Sequence, residues 1–119
     1  MTPMIVCIDD EVGLCAVFAA VLRKTGADVT TFTDPRDALT FLHANEVALV
    51  VCDYRMPALD GLEVLSLLER PVPFVLVSGD LELTRFAEGV PGLTAVLAKP
   101  FPPSKLLELA RRVIAALPV

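Results

Sequence analysis

The chain has 119 residues, close to the length of one domain, and a domain of that size buries roughly two thirds of its unfolded surface, enough to fold without disulfides or a structural metal. Fifteen acidic against ten basic side chains leave a net charge of −5, which argues against a nucleic-acid-binding face. The composition is 55% hydrophobic and 21% charged, which excludes disorder; the longest run free of charged and polar side chains, residues 12–22, is too short to cross a bilayer and starts too late for a signal peptide.

Short β-branched runs alternate with longer helical stretches. Met4-Ile5-Val6-Cys7-Ile8 is a continuous apolar run that stops at Asp9-Asp10, as a central parallel strand does. Helical spacing follows over 11–25 and is closed by Gly26. A more polar second strand covers 29–32. Asp34-Pro35 then opens a second helix, Asp capping free amides and Pro fitting the first helical position, and this helix runs to about Asn45. The third strand is predicted over 47–52, ending at Asp53, and a loop over 54–61 leads to a third helix over 62–70. Pro71 and Pro73 precede the fourth strand, 74–77, which ends at Ser78-Gly79. A short helix over 81–88, a Gly89-Val90-Pro91-Gly92 turn, a fifth strand over 94–98 ending at Lys99-Pro100, and a last helix over 102–117 complete the chain. Five β-α units in a row, without repeats or linkers, predict an α/β fold with a doubly wound five-stranded parallel sheet.

Cys7, Cys15 and Cys52 are odd in number, lack CxxC spacing and lie in apolar runs, so they read as small buried hydrophobes in a reducing, cytoplasmic setting. His43, the only histidine, has no second His or nearby Cys and reads as a solvated surface residue.

The polar residues of interest fall at the carboxyl ends of predicted strands: Asp9 and Asp10, Asp53, Ser78 and Lys99. In an open parallel sheet those ends share one edge, where ligands bind. Clustered carboxylates need a cation, and oxygen-only ligands select Mg²⁺ or a similar hard ion. A lysine and a hydroxyl facing them suit a phosphoryl group, with an ionised aspartate as acceptor and no need for a general base.

These residues resemble the receiver domain of two-component response regulators over the whole chain. Asp9-Asp10 is similar to the family's acidic pair and Asp53 to its phosphoacceptor. Met56-Pro57 and Asp60-Gly61 match the loop that follows, Ser78 the Ser/Thr switch, and Lys99-Pro100-Phe101 the lysine with its proline. The resemblance implies a flavodoxin-like (βα)5 sheet with strand order 2-1-3-4-5. It implies Mg²⁺ held by Asp10, Asp53 and the Arg55 backbone carbonyl, with Asp9 acting through water. Lys99 would contact the phosphoryl group, and the Lys99–Pro100 bond would be cis. The implied partners are a histidine kinase or histidine phosphotransfer protein, with a homodimer through the fourth helix, fifth strand and fifth helix as a further assembly. One position departs from the pattern: three residues before the lysine the family usually has Tyr or Phe, and here stands Val96. That ring is not part of the site, so phosphorylation is expected; the usual coupling of Ser78 to the surface is what the change touches.

Two other classes fit less well. An aspartate-nucleophile phosphatase wants Asp-x-Asp after the first strand, where Asp9-Asp10-Glu11 stands, and a nucleotide hydrolase would need GxxxxGK[ST], which is absent. Met1 lies three residues before the first strand and Leu117-Pro118-Val119 ends the last helix, so the reading favours a stand-alone module, with the receiver part of a longer regulator as alternative. On the first helix, at roughly 100° per residue, Cys15, Phe18 and Leu22 cluster within about 60° and should face the sheet. Val17 and Val21 lie on its flank and Leu14 at the border of that stripe, and the three are expected to form an apolar docking patch for the phosphodonor.

Overall fold

The computed structural model describes residues 2–118; Met1 and Val119, which bear on the reading of the chain ends, lie outside the described residues. Along each apolar strand successive side chains point to opposite faces. Here both faces are covered, and for that reason the three central strands are apolar up to their carboxyl ends instead of alternating, whereas the edge strand 28–32 is more polar and partly exposed. The strands are β1 (Met4–Ile8), β2 (Asp28–Phe32), β3 (Leu49–Asp53), β4 (Phe74–Ser78) and β5 (Ala95–Ala98). All neighbours pair in parallel, in the order β2-β1-β3-β4-β5.

Five helices connect them: α1 (Val12–Arg23), α2 (Pro35–Ala44), α3 (Gly61–Ser66), α4 (Leu81–Ala87) and α5 (Pro103–Ala115). On one face Ile5, Cys7, Val51, Val75 and Val77 pack against Phe18 and Leu22 of α1 and Leu106 and Ala110 of α5. On the other, Val6, Ile8, Val50, Cys52, Phe74 and Leu76 meet Ala38 and Leu42 of α2, Val64 of α3 and Ala87 of α4. The three cysteines are buried and unpaired.

The predicted elements are all present; α5 stops at Ala115, two residues short of the expected Leu117, and three other shifts have local causes. β3 begins at Leu49 and not Val47, because its register with β1 starts at Ile5↔Leu49, and it runs on through Asp53, which pairs with Val77. α1 ends at Arg23 and not Thr25, since the Thr25 hydroxyl donates to the Leu22 carbonyl at 2.7 Å and Gly26 takes a positive φ of 86°. α3 stops at Ser66, four residues short of the expected Arg70. Its following residues are drawn to the end of α2 instead: His43 Nε2 lies 3.1 Å from the Leu67 carbonyl, and Arg70 donates to the Asn45 carbonyl at 2.7 Å. His43 is therefore on the surface as expected but engaged, its Nδ1 lying 3.0 Å from Glu69 Oε1.

The expected stripe Cys15, Phe18 and Leu22 is buried, and Ala19 joins it. Val21 corrects the reading of α1: only 9% exposed, it belongs to the core, because α1 packs against both the sheet and α5 and its buried face is wider than one stripe. Leu14 is half-buried against the same core, whereas Val17 is 52% exposed.

Gly61 ties fold to site. A Cβ there would stand 2.5 Å from Leu76 Cδ1 and 2.7 Å from the Asp53 carbonyl oxygen, so α3 can start under β3 only with a glycine. Gly61→Ala is expected to cost about 1–3 kcal/mol, the usual cost of overpacking, read as a lower midpoint in urea denaturation.

Candidate functional site

Parallel pairing brings the residues after each strand to one edge, and backbone bonds continue the ladder past the strand ends. The Asp9 amide donates to the Phe32 carbonyl at 3.1 Å, the Tyr54 amide to Val77 at 2.8 Å, and the Lys99 amide to Ser78 at 2.8 Å. Asp9, Asp53, Ser78 and Lys99 thus leave a backbone that is already fixed, a precondition for a precise site. Asp10, Glu11, Asp53, Arg55, Ser78, Asp80 and Lys99 line a cleft of about 570 Å³ at this edge.

The charges are close. One carboxylate oxygen from each of Asp9, Asp10 and Asp53 lies within 4.8 Å of the others. Lys99 Nζ is 3.0 Å from Asp53 Oδ1 and 3.9 Å from Asp9 Oδ2. Asp9 is only 1% exposed. Its Oδ1 accepts the Glu11 amide at 2.9 Å, but its buried Oδ2 has no hydrogen-bond donor. Burial raises the Asp9 carboxyl above the usual carboxylate range, opposed by the Glu11 amide and reinforced by the Asp53 charge. Three oxygen donors, one of them buried and unsatisfied, fit a hard cation such as Mg²⁺.

The neighbouring groups hold these side chains in place. Cys15 Sγ donates to the Asp9 carbonyl at 3.1 Å, a contact with the acidic turn that the sequence reading missed; the signal was Cys15's place on the sheet-facing stripe of α1. After β3, Asp60 and Glu63 form a reciprocal capping box (2.8 and 3.0 Å) that starts α3 and folds the loop back beneath Asp53. The Lys99–Pro100 peptide is cis, and the Phe101 ring stacks on Phe18 with centroids 5.8 Å apart, which anchors the segment carrying Lys99 to α1. Ser78 Oγ, buried, accepts the Asp80 amide at 3.0 Å. Across the mouth Arg55 donates to Asp80 Oδ2 at 2.9 Å. The Leu83 amide first, and Arg55 second, hold the Asp80 carboxyl below the usual carboxylate range. Val96 is half-buried on the α2–α3–α4 face of the sheet, and Pro100 is exposed in the segment that follows β5.

A flavodoxin-like sheet carrying an acidic pocket, a lysine and a hydroxyl at its carboxyl edge defines a class of phosphoryl-handling α/β domains. A sequence profile described as the response regulator receiver domain matches residues 5–111, and the chain belongs to that family. It is 31% identical over 114 residues to the C4-dicarboxylate transport transcriptional regulatory protein DctD of Rhizobium meliloti, covering 92% of this chain and 25% of that protein. It is 34% identical over 111 residues to the cyclic di-GMP phosphodiesterase response regulator RpfG of Xanthomonas campestris, covering 86% of this chain and 29% of that one. The chain therefore spans about a quarter of the length of these curated relatives. Among solved structures, the receiver domain of the Francisella response regulator 1452 superposes with a TM-score of 0.86 at 24% identity, covering 96% of this chain and 98% of that one. The chemotaxis protein CheY4 of Vibrio cholerae superposes with a TM-score of 0.79 at 25% identity, covering 95% and 99%. Among the described residues no helix is long and apolar enough to cross a membrane.

Because the folded pKa of Asp9 lies above its unfolded value of 3.8, the native state holds the Asp9 proton more tightly than the unfolded chain does. Its ionisation therefore costs stability, a cost that is absent below the unfolded pKa and grows as pH rises from there to the folded one. Asp9→Asn is expected to raise the melting temperature of the metal-free protein at pH 7 and to lose that advantage below about pH 4, as read by thermal denaturation across pH.

Proposed function

We propose that Asp53 accepts a phosphoryl group from a histidine kinase or histidine phosphotransfer protein in a Mg²⁺-dependent reaction that the domain itself catalyses, and that the phosphorylated chain relays the signal. The observation that carries this reading is the Asp53 carboxylate at the end of a central strand, with Lys99 at 3.0 Å and the oxygens of Asp9 and Asp10 beside it. Asp10, Asp53 and the Arg55 carbonyl would hold Mg²⁺ directly and Asp9 through water; the cation, when bound, offsets the carboxylate charge and withdraws charge from phosphoryl oxygens.

The chain's own groups supply the rest. An Asp53 carboxylate oxygen forms the new O–P bond while the P–N bond of the phosphohistidine breaks, and the imidazole nitrogen keeps the electron pair. A carboxylate is already ionised, so no base is needed. Lys99 holds one phosphoryl oxygen, and the Ser78 hydroxyl donates to another as it turns from its present bond with the Asp80 amide. Positioning and charge neutralisation are the catalytic contributions, and the same site carries the later hydrolysis.

The setting that suits these partners is the cytoplasm. The domain itself contacts no nucleic acid, and a homodimer through α4, β5 and α5 is an additional assembly. A second reading is favoured by one observation: the chain covers 25% and 29% of relatives named as a transcriptional regulator and a phosphodiesterase response regulator, so it also fits the receiver part of a longer regulator.

Incubation with Mg²⁺ and a small-molecule phosphodonor should add one phosphoryl mass, measured on the intact protein. Asp53→Asn, nearly the same shape, should abolish that gain without unfolding; a gain as fast as wild type would overturn the assignment. Asp10→Ala should remove most of the Mg²⁺ response. Donor docking is assigned to Val17, with Leu14 at its border and Val21 withdrawn to the core. Val17→Glu is expected to slow transfer from the cognate kinase about tenfold, equivalent to about 1.4 kcal/mol, and to leave uptake from the small donor unchanged.

A further inference from the structure

Asp80 binds both the cleft and α4. Its Oδ2 accepts Arg55 at 2.9 Å, its Oδ1 accepts the Leu83 amide at 3.1 Å, its carbonyl accepts the Thr84 hydroxyl at 2.8 Å, and its amide donates to Ser78 Oγ at 3.0 Å. The helix it caps is weakly held. α4 has seven residues, buries only Thr84 and Ala87, and leaves Leu81 and Phe86 exposed, Phe86 by 67%. A helix so short depends on its cap and its packing rather than on its own hydrogen bonds.

We propose that the Arg55–Asp80 ion pair is a latch that holds the first turn of α4 in the unphosphorylated state and opens when Asp53 is phosphorylated. The latch rests on the phosphoacceptor reading of Asp53. Arg55 and Asp80 line the same cleft as Asp53, Ser78 and Lys99. The pair is exposed at its Arg55 end, 75% for that side chain, so it is screened and readily exchanged for a better partner. Phosphorylation replaces the single charge of Asp53 with one approaching two, on oxygens that a planar guanidinium binds in a fork.

Arg55 then turns to the phosphoryl oxygens. Asp80 loses its cation and faces an added negative charge. The Ser78 hydroxyl, donating to the phosphoryl group, turns from the Asp80 amide. Both bonds from Asp80 to the cleft are given up together, and only its bonds within α4 remain. The first turn of α4 is released, and with it Leu81 and Phe86 change their presentation to a partner. This route runs through polar contacts and needs no ring at Val96.

Hydrogen–deuterium exchange over residues 81–88, read beside intact mass with Mg²⁺ and acetyl phosphate, tests it. In the wild type, the gain of one phosphoryl mass should accompany exchange in α4 that is about threefold faster or more. Asp80→Asn keeps a good helix cap and removes the ion pair. In that variant, and in Arg55→Ala compared at the same phosphorylated fraction, exchange in α4 should differ little between the two states. Wild-type protein that gains the mass with α4 exchange unchanged overturns the latch and leaves the Asp53 reading standing, as do variants that respond as fully as the wild type. Absence of the mass gain in the wild type removes the Asp53 reading and the latch with it.

Discussion

Repulsion among carboxylates gathered at the end of an apolar sheet is the constraint to which the rest of the molecule answers. Asp9, Asp10 and Asp53 bring oxygens within 4.8 Å of one another, and Asp9 does so almost fully buried. Like charges so placed repel one another unless something opposes them. Lys99 supplies the opposition within the chain, at 3.0 Å from Asp53 and 3.9 Å from Asp9. It does not complete it, because Asp9 Oδ2 keeps no donor. A site left short of positive charge in this way fits a hard cation, and the buried Asp9 oxygen without a donor costs stability in the metal-free protein.

The fold's contribution is to make this arrangement rigid. Each acidic or basic group leaves a strand whose backbone remains hydrogen-bonded one residue past its end, as at Asp9, Tyr54 and Lys99. Beneath it the packing tolerates little. Gly61 leaves no room for a methyl group against Asp53 and Leu76, and the Phe18–Phe101 stack ties the Lys99 segment to α1. The two faces of the sheet then divide the work. The α1–α5 face fixes Asp9 and Lys99, through Cys15 and Phe101. The opposite face carries α3 and α4, the two shortest helices.

Much of this was legible in the sequence because it follows from local rules. Continuous apolar runs ending in charged residues identify buried parallel strands and the edge where their polar ends meet, so Asp9, Asp10, Asp53, Ser78 and Lys99 could be placed together before any coordinates. Boundaries were less legible where tertiary bonds compete with helix propensity. Nothing local in residues 62–70 reveals that His43 and Arg70 will join the end of α3 to the end of α2. Val21 was misjudged for a related reason. Helical angles alone rank it on the flank, and only the presence of α5 beside α1 makes that flank interior. The Arg55–Asp80 pair spans 25 positions, but each residue stands two positions after a strand-end residue, Asp53 and Ser78, so the sequence already places the two at one mouth, and the sheet sets their loops face to face.

Val96 brings these lines together. It lies half-buried on β5 among the residues that pack against the α2–α3–α4 layer, a β-branched side chain restricted at χ1. The Tyr or Phe that the resembled family usually has at this position is absent, and a valine in a packed surface has little room for a second placement. The bistable element must therefore be sought where bonds can be exchanged without repacking the core. On this side of the molecule that place is the loop between β4 and α4, where Asp80 has four polar partners, two toward the cleft and two within the helix. Charge added to the cleft acts on the first two and not on the second two. In the proposed latch that asymmetry turns a local electrostatic change into a displacement of one short helix while the apolar core stays as it is.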